Sequence, residues 1–302
     1  MSGKGDSLKT IIFALGANFA IFLSKFAAAV LTGSGSMFAE AVHSLADCGN
    51  QGLLLVGMRQ AKRAPSPEHP LGYGMAVYFW SFLVALLLFS IGGVFSFYEG
   101  VHKLLHPEPV RMPGLAIGVL AFGVVAESFS MWGCLREVNK VRGRKSLWRW
   151  FRESRQSELL VVFGEDLAAL LGLGIALIAV TATYVTDDPT FDAAGSIAIG
   201  VLLCVVAGFV AREVASLLIG RSAEAALRGE IQVFVNAQPE VERVFNVITL
   251  QMGPDVMVAV KAQMRGELPA TQLIAAINRV EAAMKERFPE IRWSFFEPDI
   301  AD

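Results

Sequence analysis

Six apolar runs, each near the roughly 20 residues that a helix needs to cross a bilayer, fill the first two thirds of the chain. They cover Thr10–Leu31, Met37–Met58, Met75–Tyr98, Pro113–Leu135, Glu158–Tyr184 and Phe191–Ile219. The first is longer than a signal-peptide core and lacks a small-residue cleavage site, so it reads as a span rather than a leader. Hydrophobic residues make up 54% of the 302 positions and charged ones only 18%, too apolar a balance for an ordinary soluble domain. A multi-pass integral membrane protein is expected.

Ionisable groups inside such runs are costly and call for a reason. The second run contains Glu40-Ala41-Val42-His43-Ser44-Leu45-Ala46-Asp47-Cys48-Gly49-Asn50. Helical steps of about 100° stack His43 and Asp47 on one face, with Glu40 and Asn50 extending the stripe. An imidazole and a carboxylate so placed make half of a tetrahedral site for a divalent metal. The fifth run offers partners in Glu165 and Asp166, adjacent carboxylates that point about 100° apart, so that one site takes Asp166 first. On the residues alone, the candidate metal ligands are therefore His43, Asp47, Asp166 and Glu165. Lys25 of the first run is expected to neutralise Glu40, while Glu99 and Glu127 read as packing or interfacial carboxylates. Trp148, Trp150 and Phe151 fit an interfacial belt.

Other signals exclude more than they assign. A net charge of −2 gives no ground for a nucleic-acid partner. Cys48, Cys134 and Cys204 form no Cys-x-x-Cys pair, which argues against a disulfide framework or thiolate zinc site. Basic residues gather after the second run and between the fourth and fifth, from Arg136 to Arg155, whereas the opposite loops carry Lys103 and Arg111. Retention of positive charge on the cytoplasmic side puts both termini there. If the source is bacterial, the membrane is the plasma (inner) membrane.

Beyond Gly220 the composition becomes that of a soluble domain. Helix from Ala223, strand over Val241–Gln251, strand over Val256–Lys261, helix from Thr271 and strand over Ile291–Phe296 give an α+β layer of ferredoxin-like kind, with Gly253-Pro254-Asp255 as turn. The expected architecture is a six-helix transmembrane domain over residues 1–220 and a cytoplasmic α+β domain over 221–302, suited to dimerisation or regulation.

With these residues in hand the chain resembles the cation diffusion facilitator family of metal transporters, in a branch with a Glu-Asp motif in the fifth span. The resemblance rests on His43-x-x-x-Asp47, Glu165-Asp166, Phe191-Asp192 at the start of the sixth run, the loop His69-Pro70-Leu71-Gly72-Tyr73-Gly74 and the terminal α+β domain. It implies a homodimer that exchanges a divalent metal, zinc most often, for protons. Metal and protons are then the partners besides lipid, and no prosthetic group is implied. One departure stands out: four residues before Asp166, where the family pattern supplies His or Asp, the chain has Val162, which leaves Glu165, Asn50 or water to complete the coordination that the resemblance implies. The alternatives to a transporter are a membrane-embedded metal sensor or scaffold and a metal-dependent intramembrane hydrolase. For the hydrolase no His-Glu-x-x-His or serine motif speaks.

Overall fold

The computed structural model describes residues 19–107, 109–266 and 268–301. The beginning of the first expected span, Thr10 to Asn18, lies outside the described residues. The helices are α1 (Phe19–Thr32), α2 (Gly35–Ala61), α3 (Ala76–Leu87), α4 (Phe95–Leu105), α5 (Pro113–Arg142), α6 (Leu147–Glu153), α7 (Ser157–Thr186), α8 (Thr190–Gly220), α9 (Ala225–Asn236) and α10 (Ala270–Arg287). The strands are β1 (Val241–Met252), β2 (Asp255–Met264) and β3 (Ile291–Pro298). A π-helical segment, Leu88–Val94, joins α3 to α4 without a break.

Among the described residues, four helical stretches are long and apolar enough to cross a membrane: α3 through α4, α5, α7, and the one that begins with α8. The polar stripe of α2 dilutes its hydropathy, and the described part of α1 is short. The chain is thus mostly helical with a small terminal sheet.

Two compact units emerge. The first takes the chain through Val56, Trp80–Leu147 and Glu158–Val214; the second takes Gly57–Phe79, Trp148–Ser157 and the chain from Ala215 onward. In the first unit, Ala39 of α2, Leu120 of α5, Leu173 and Ala176 of α7, and Ile199 and Leu203 of α8 form a buried apolar centre. The outward side of α5 carries Phe122, Val125, Phe129 and Trp132, all exposed, as a lipid-facing surface would. Small residues let α4 and α8 touch backbone to backbone: a Cβ on Gly100 would lie 2.6 Å from the Ile197 amide nitrogen, and one on Gly200 would collide with that of Phe97.

Asp192, in the first turn of α8, fastens the start of α2. Its carboxylate accepts from the Ser34 hydroxyl at 2.7 Å, the Gly35 amide at 2.6 Å and the Ser36 amide at 3.2 Å. An anion satisfying free amides at a helix N-terminus is favoured by both hydrogen bonding and the helix dipole. Asp192→Ala strips these buried donors of their acceptor and is expected to cost about 2 kcal/mol, seen as a lower thermal unfolding midpoint of the purified protein.

In the second unit, β1 pairs antiparallel with β2, and β2 pairs parallel with β3 in the order β1-β2-β3. Strict alternation along β2 buries Val256, Val258, Val260, Ala262 and Met264 against Ile231 of α9 and Val280 and Met284 of α10. Gly253, at φ +66°, supplies the positive angle that a two-residue hairpin turn needs at its first position. The order helix, strand, strand, helix, strand is the expected one. Tyr78 joins this unit, its hydroxyl accepting from the Gly253 amide at 2.9 Å, as does Arg155, which donates to the Ser222 carbonyl at 2.7 Å. Trp150 and Phe151 of α6 are buried and only Trp148 is exposed, so this cluster is packing rather than the expected interfacial belt.

Candidate metal centre

The polar face of α2 is largely buried, and its members part into two groups. Toward the N-terminal end, Lys25 of α1 donates from Nζ to Glu40 at 3.3 Å and to the Ser44 hydroxyl at 2.8 Å, with both ionic side chains fully buried. The expected neutralisation of Glu40 is present. Such a pair persists in a membrane span because each charge removes the other's desolvation penalty. It also keeps Glu40 occupied by a fixed ammonium.

One turn further, the His43 ring is fully buried and neither of its nitrogens has a hydrogen-bond partner. Its Nδ1 lies 3.7 Å from Asp47 Oδ1, which also has no hydrogen-bond partner. The i, i+4 spacing on α2 produces this juxtaposition. A cavity of about 30 Å³, large enough for one water-sized occupant, is walled by Asp47 and Gln51 of α2, Glu127 and Ser130 of α5, and Val162, Glu165 and Asp166 of α7.

The two α7 carboxylates diverge as helical geometry requires, yet both reach this cavity. Glu165, buried, accepts from Asn50 Nδ2 at 2.5 Å. Asp166 turns toward α5, where Ser130 donates to its Oδ1 at 3.1 Å. Its Oδ2 has no hydrogen-bond partner.

Of the five residues singled out, Asp47, Glu165 and Asp166 thus share one cavity, Asn50 holds Glu165, and His43 stands beside Asp47 without forming part of the wall. Among the described residues, no three His, Cys, Asp or Glu side chains converge as a closed ligand set. Two site features escape the sequence reading. Glu127, expected as a packing or interfacial carboxylate, is on the cavity wall, and Ser130 fixes Asp166. The signal is present in the spacing of Gly123, Glu127, Ser130 and Cys134, a small and polar stripe on an otherwise apolar span.

The arrangement offers one imidazole and several carboxylates, with unpartnered atoms shielded from solvent, to a small cation. Nitrogen and oxygen donors together suit zinc and its first-row neighbours.

Comparison with known proteins agrees with this chemistry. Residues 11–219 match the family described as cation efflux transmembrane domain. The mitochondrial proton-coupled zinc antiporter SLC30A9 of Xenopus laevis is 35% identical over 255 residues, 84% of this chain and 45% of its own length. Metal tolerance protein C4 of Arabidopsis thaliana is 30% identical over 254 residues, 82% of this chain and 55% of its own. The chain spans about half the length of these relatives. The cation-efflux pump FieF of Salmonella newport is 26% identical over 274 residues, 89% of this chain and 85% of its own. With the family match covering well over half the chain and buried metal-ligand chemistry on α2 and α7, the protein belongs to the cation efflux, or cation diffusion facilitator, family.

Proposed function

We propose that this protein carries a divalent cation, zinc foremost, out of the cytosol across a membrane in exchange for protons. The observation that carries the reading is the set of buried, unpartnered polar atoms of His43 and Asp47, of which Asp47 faces the α7 carboxylates across one small cavity and His43 stands directly behind it. Imidazole and carboxylate groups bind either metal or protons, so proton uptake on one side competes with the cation and drives its release. His43, Asp47, Asp166 and Glu165 are the groups that exchange cation for proton, with Asn50 orienting Glu165. The names of the SLC30A9 relatives, proton-coupled zinc antiporters, support both cargo and coupling.

Six crossings place both termini in the cytosol, with residues 1–220 as the transport domain and 221–302 as a cytoplasmic ferredoxin-like domain. This domain pairs two copies of the chain. Its helices cover only one face of the sheet; the other presents Ile248 and Phe295, both more than half exposed, with the partly buried Trp293 of the edge strand β3 opposite Met257. An uncovered apolar sheet face supports a homodimer. The bacterial inner membrane and the mitochondrial membranes of the SLC30A9 relatives both fit such a chain; the inner membrane is our assignment for a bacterial source.

Reconstitution into liposomes with a trapped zinc indicator tests the function. Zinc entry above protein-free vesicles is expected, with cobalt and manganese competing. Stoichiometric zinc binding without entry under an imposed gradient would instead identify a sensor.

A further inference from the structure

Glu127 brings to the cavity a carboxylate from a third helix. Its direction is fixed by its neighbours on the same α5 stripe. Gly123, one turn before it, lies against Leu173 of α7 and within 3.5 Å, measured from an added Cβ, of the Lys25 side chain, while Ser130, one turn after it, donates to Asp166. Glu127 sits between these contacts and lines the same cavity as Asp47, Glu165, Asp166 and Val162.

A group of carboxylates is not by itself a metal site. The independent indication is His43, a fully buried ring with both nitrogens unpartnered, directed at the Asp47 carboxylate of the cavity wall. Buried polar atoms left without partners are rare because each is unfavourable. A cation accepting lone pairs from His43, Asp47 and Asp166 removes that strain in one step. Glu165 on the same wall is already engaged by Asn50 at 2.5 Å, which leaves these three donors with free lone pairs, whereas a tetrahedral ion takes four. Val162, one helical turn before Asp166 on the cavity wall, has no lone pair to give.

We propose that Glu127 supplies the fourth ligand, so that three helices rather than two hold the transported cation: His43 and Asp47 from α2, Asp166 from α7 and Glu127 from α5. The proposal rests on the transport reading above. It assigns the site a donor set of one imidazole and three carboxylates, richer in oxygen than a site with two imidazoles. Such a set accommodates manganese, iron and cobalt more readily alongside zinc. It also makes α5 part of the moving gate, because release of the ion must separate Glu127 from the α2 pair.

The test uses the full chain in detergent with Co²⁺ as probe, read by its ligand-field absorption, which reports donor number and geometry. Glu127→Gln preserves size and removes the charge. Co²⁺ affinity is expected to fall at least about tenfold with an altered absorption band, as loss of a charged contact implies. Glu127→Asp is expected to retain part of the affinity. Val162→Asp added to Glu127→Gln, which returns a carboxylate to the cavity at i−4 from Asp166, is expected to restore binding. Wild-type affinity and band shape in Glu127→Gln would overturn the proposal. Loss that neither Glu127→Asp nor added Val162→Asp repairs would also overturn it, marking Glu127 as structural only. Asp47→Asn separates the two levels: binding lost there but intact in Glu127→Gln removes only Glu127, whereas binding intact in both removes the site.

Discussion

Asp47→Asn and His43→Ala are each expected to reduce zinc flux by at least about 100-fold in proteoliposomes, while the protein remains monodisperse and helical. The size follows from what is removed. Even residues that only orient metal ligands change affinity or activity by roughly 10–100-fold in other sites, so loss of a proposed direct ligand is expected to exceed that range. Asp47→Asn is the sharper probe because it keeps the shape of the cavity wall and removes the negative charge. His43→Ala opens space in α2, and its effect is checked by His43→Asn, which keeps a polar donor of similar reach. If both α2 variants transport at wild-type rates, the cation takes a route that avoids this stripe.

A second large effect is expected one turn away. Lys25→Met leaves Glu40 buried with no counter-charge and is expected to destabilise the fold by about 3–5 kcal/mol, as breaking one side of a buried ion pair does. On one side the Glu40 carboxylate lies close against Gly172 of α7, where an added Cβ would collide with it. Lys25→Met combined with Glu40→Gln removes both charges and is expected to recover most of the loss. Thermal unfolding of the three purified proteins measures this. Additive destabilisation in the double variant would show that the two residues act separately, against the 3.3 Å contact.

The α2 stripe is legible in the sequence because a polar period of four inside an apolar run has no cheap explanation. The terminal domain is legible for a different reason: Val256 to Met264 alternate so strictly that the buried face of β2 is written in the sequence. Partnerships across helices are not. Nothing local to Glu165 indicates Asn50, because their contact depends on how α2 and α7 pack. Glu127 is the intermediate case: the stripe Gly123, Glu127, Ser130 and Cys134 marks the polar side of its helix, but not that this side meets α2 and α7. The π-helical passage Leu88–Val94 lies in a run that reads as one regular helix; Gly93 there packs closely against Cys204 of α8, a tertiary contact invisible in a single segment. The Asp192 cap likewise joins residues more than 150 positions apart.

Proton exchange is the central claim, and it is tested most directly by following internal pH and zinc together in sealed proteoliposomes. With zinc added outside, the account predicts zinc entry accompanied by a rise of internal pH as protons leave, both abolished by Asp47→Asn. Zinc entry with no opposing proton movement would contradict it.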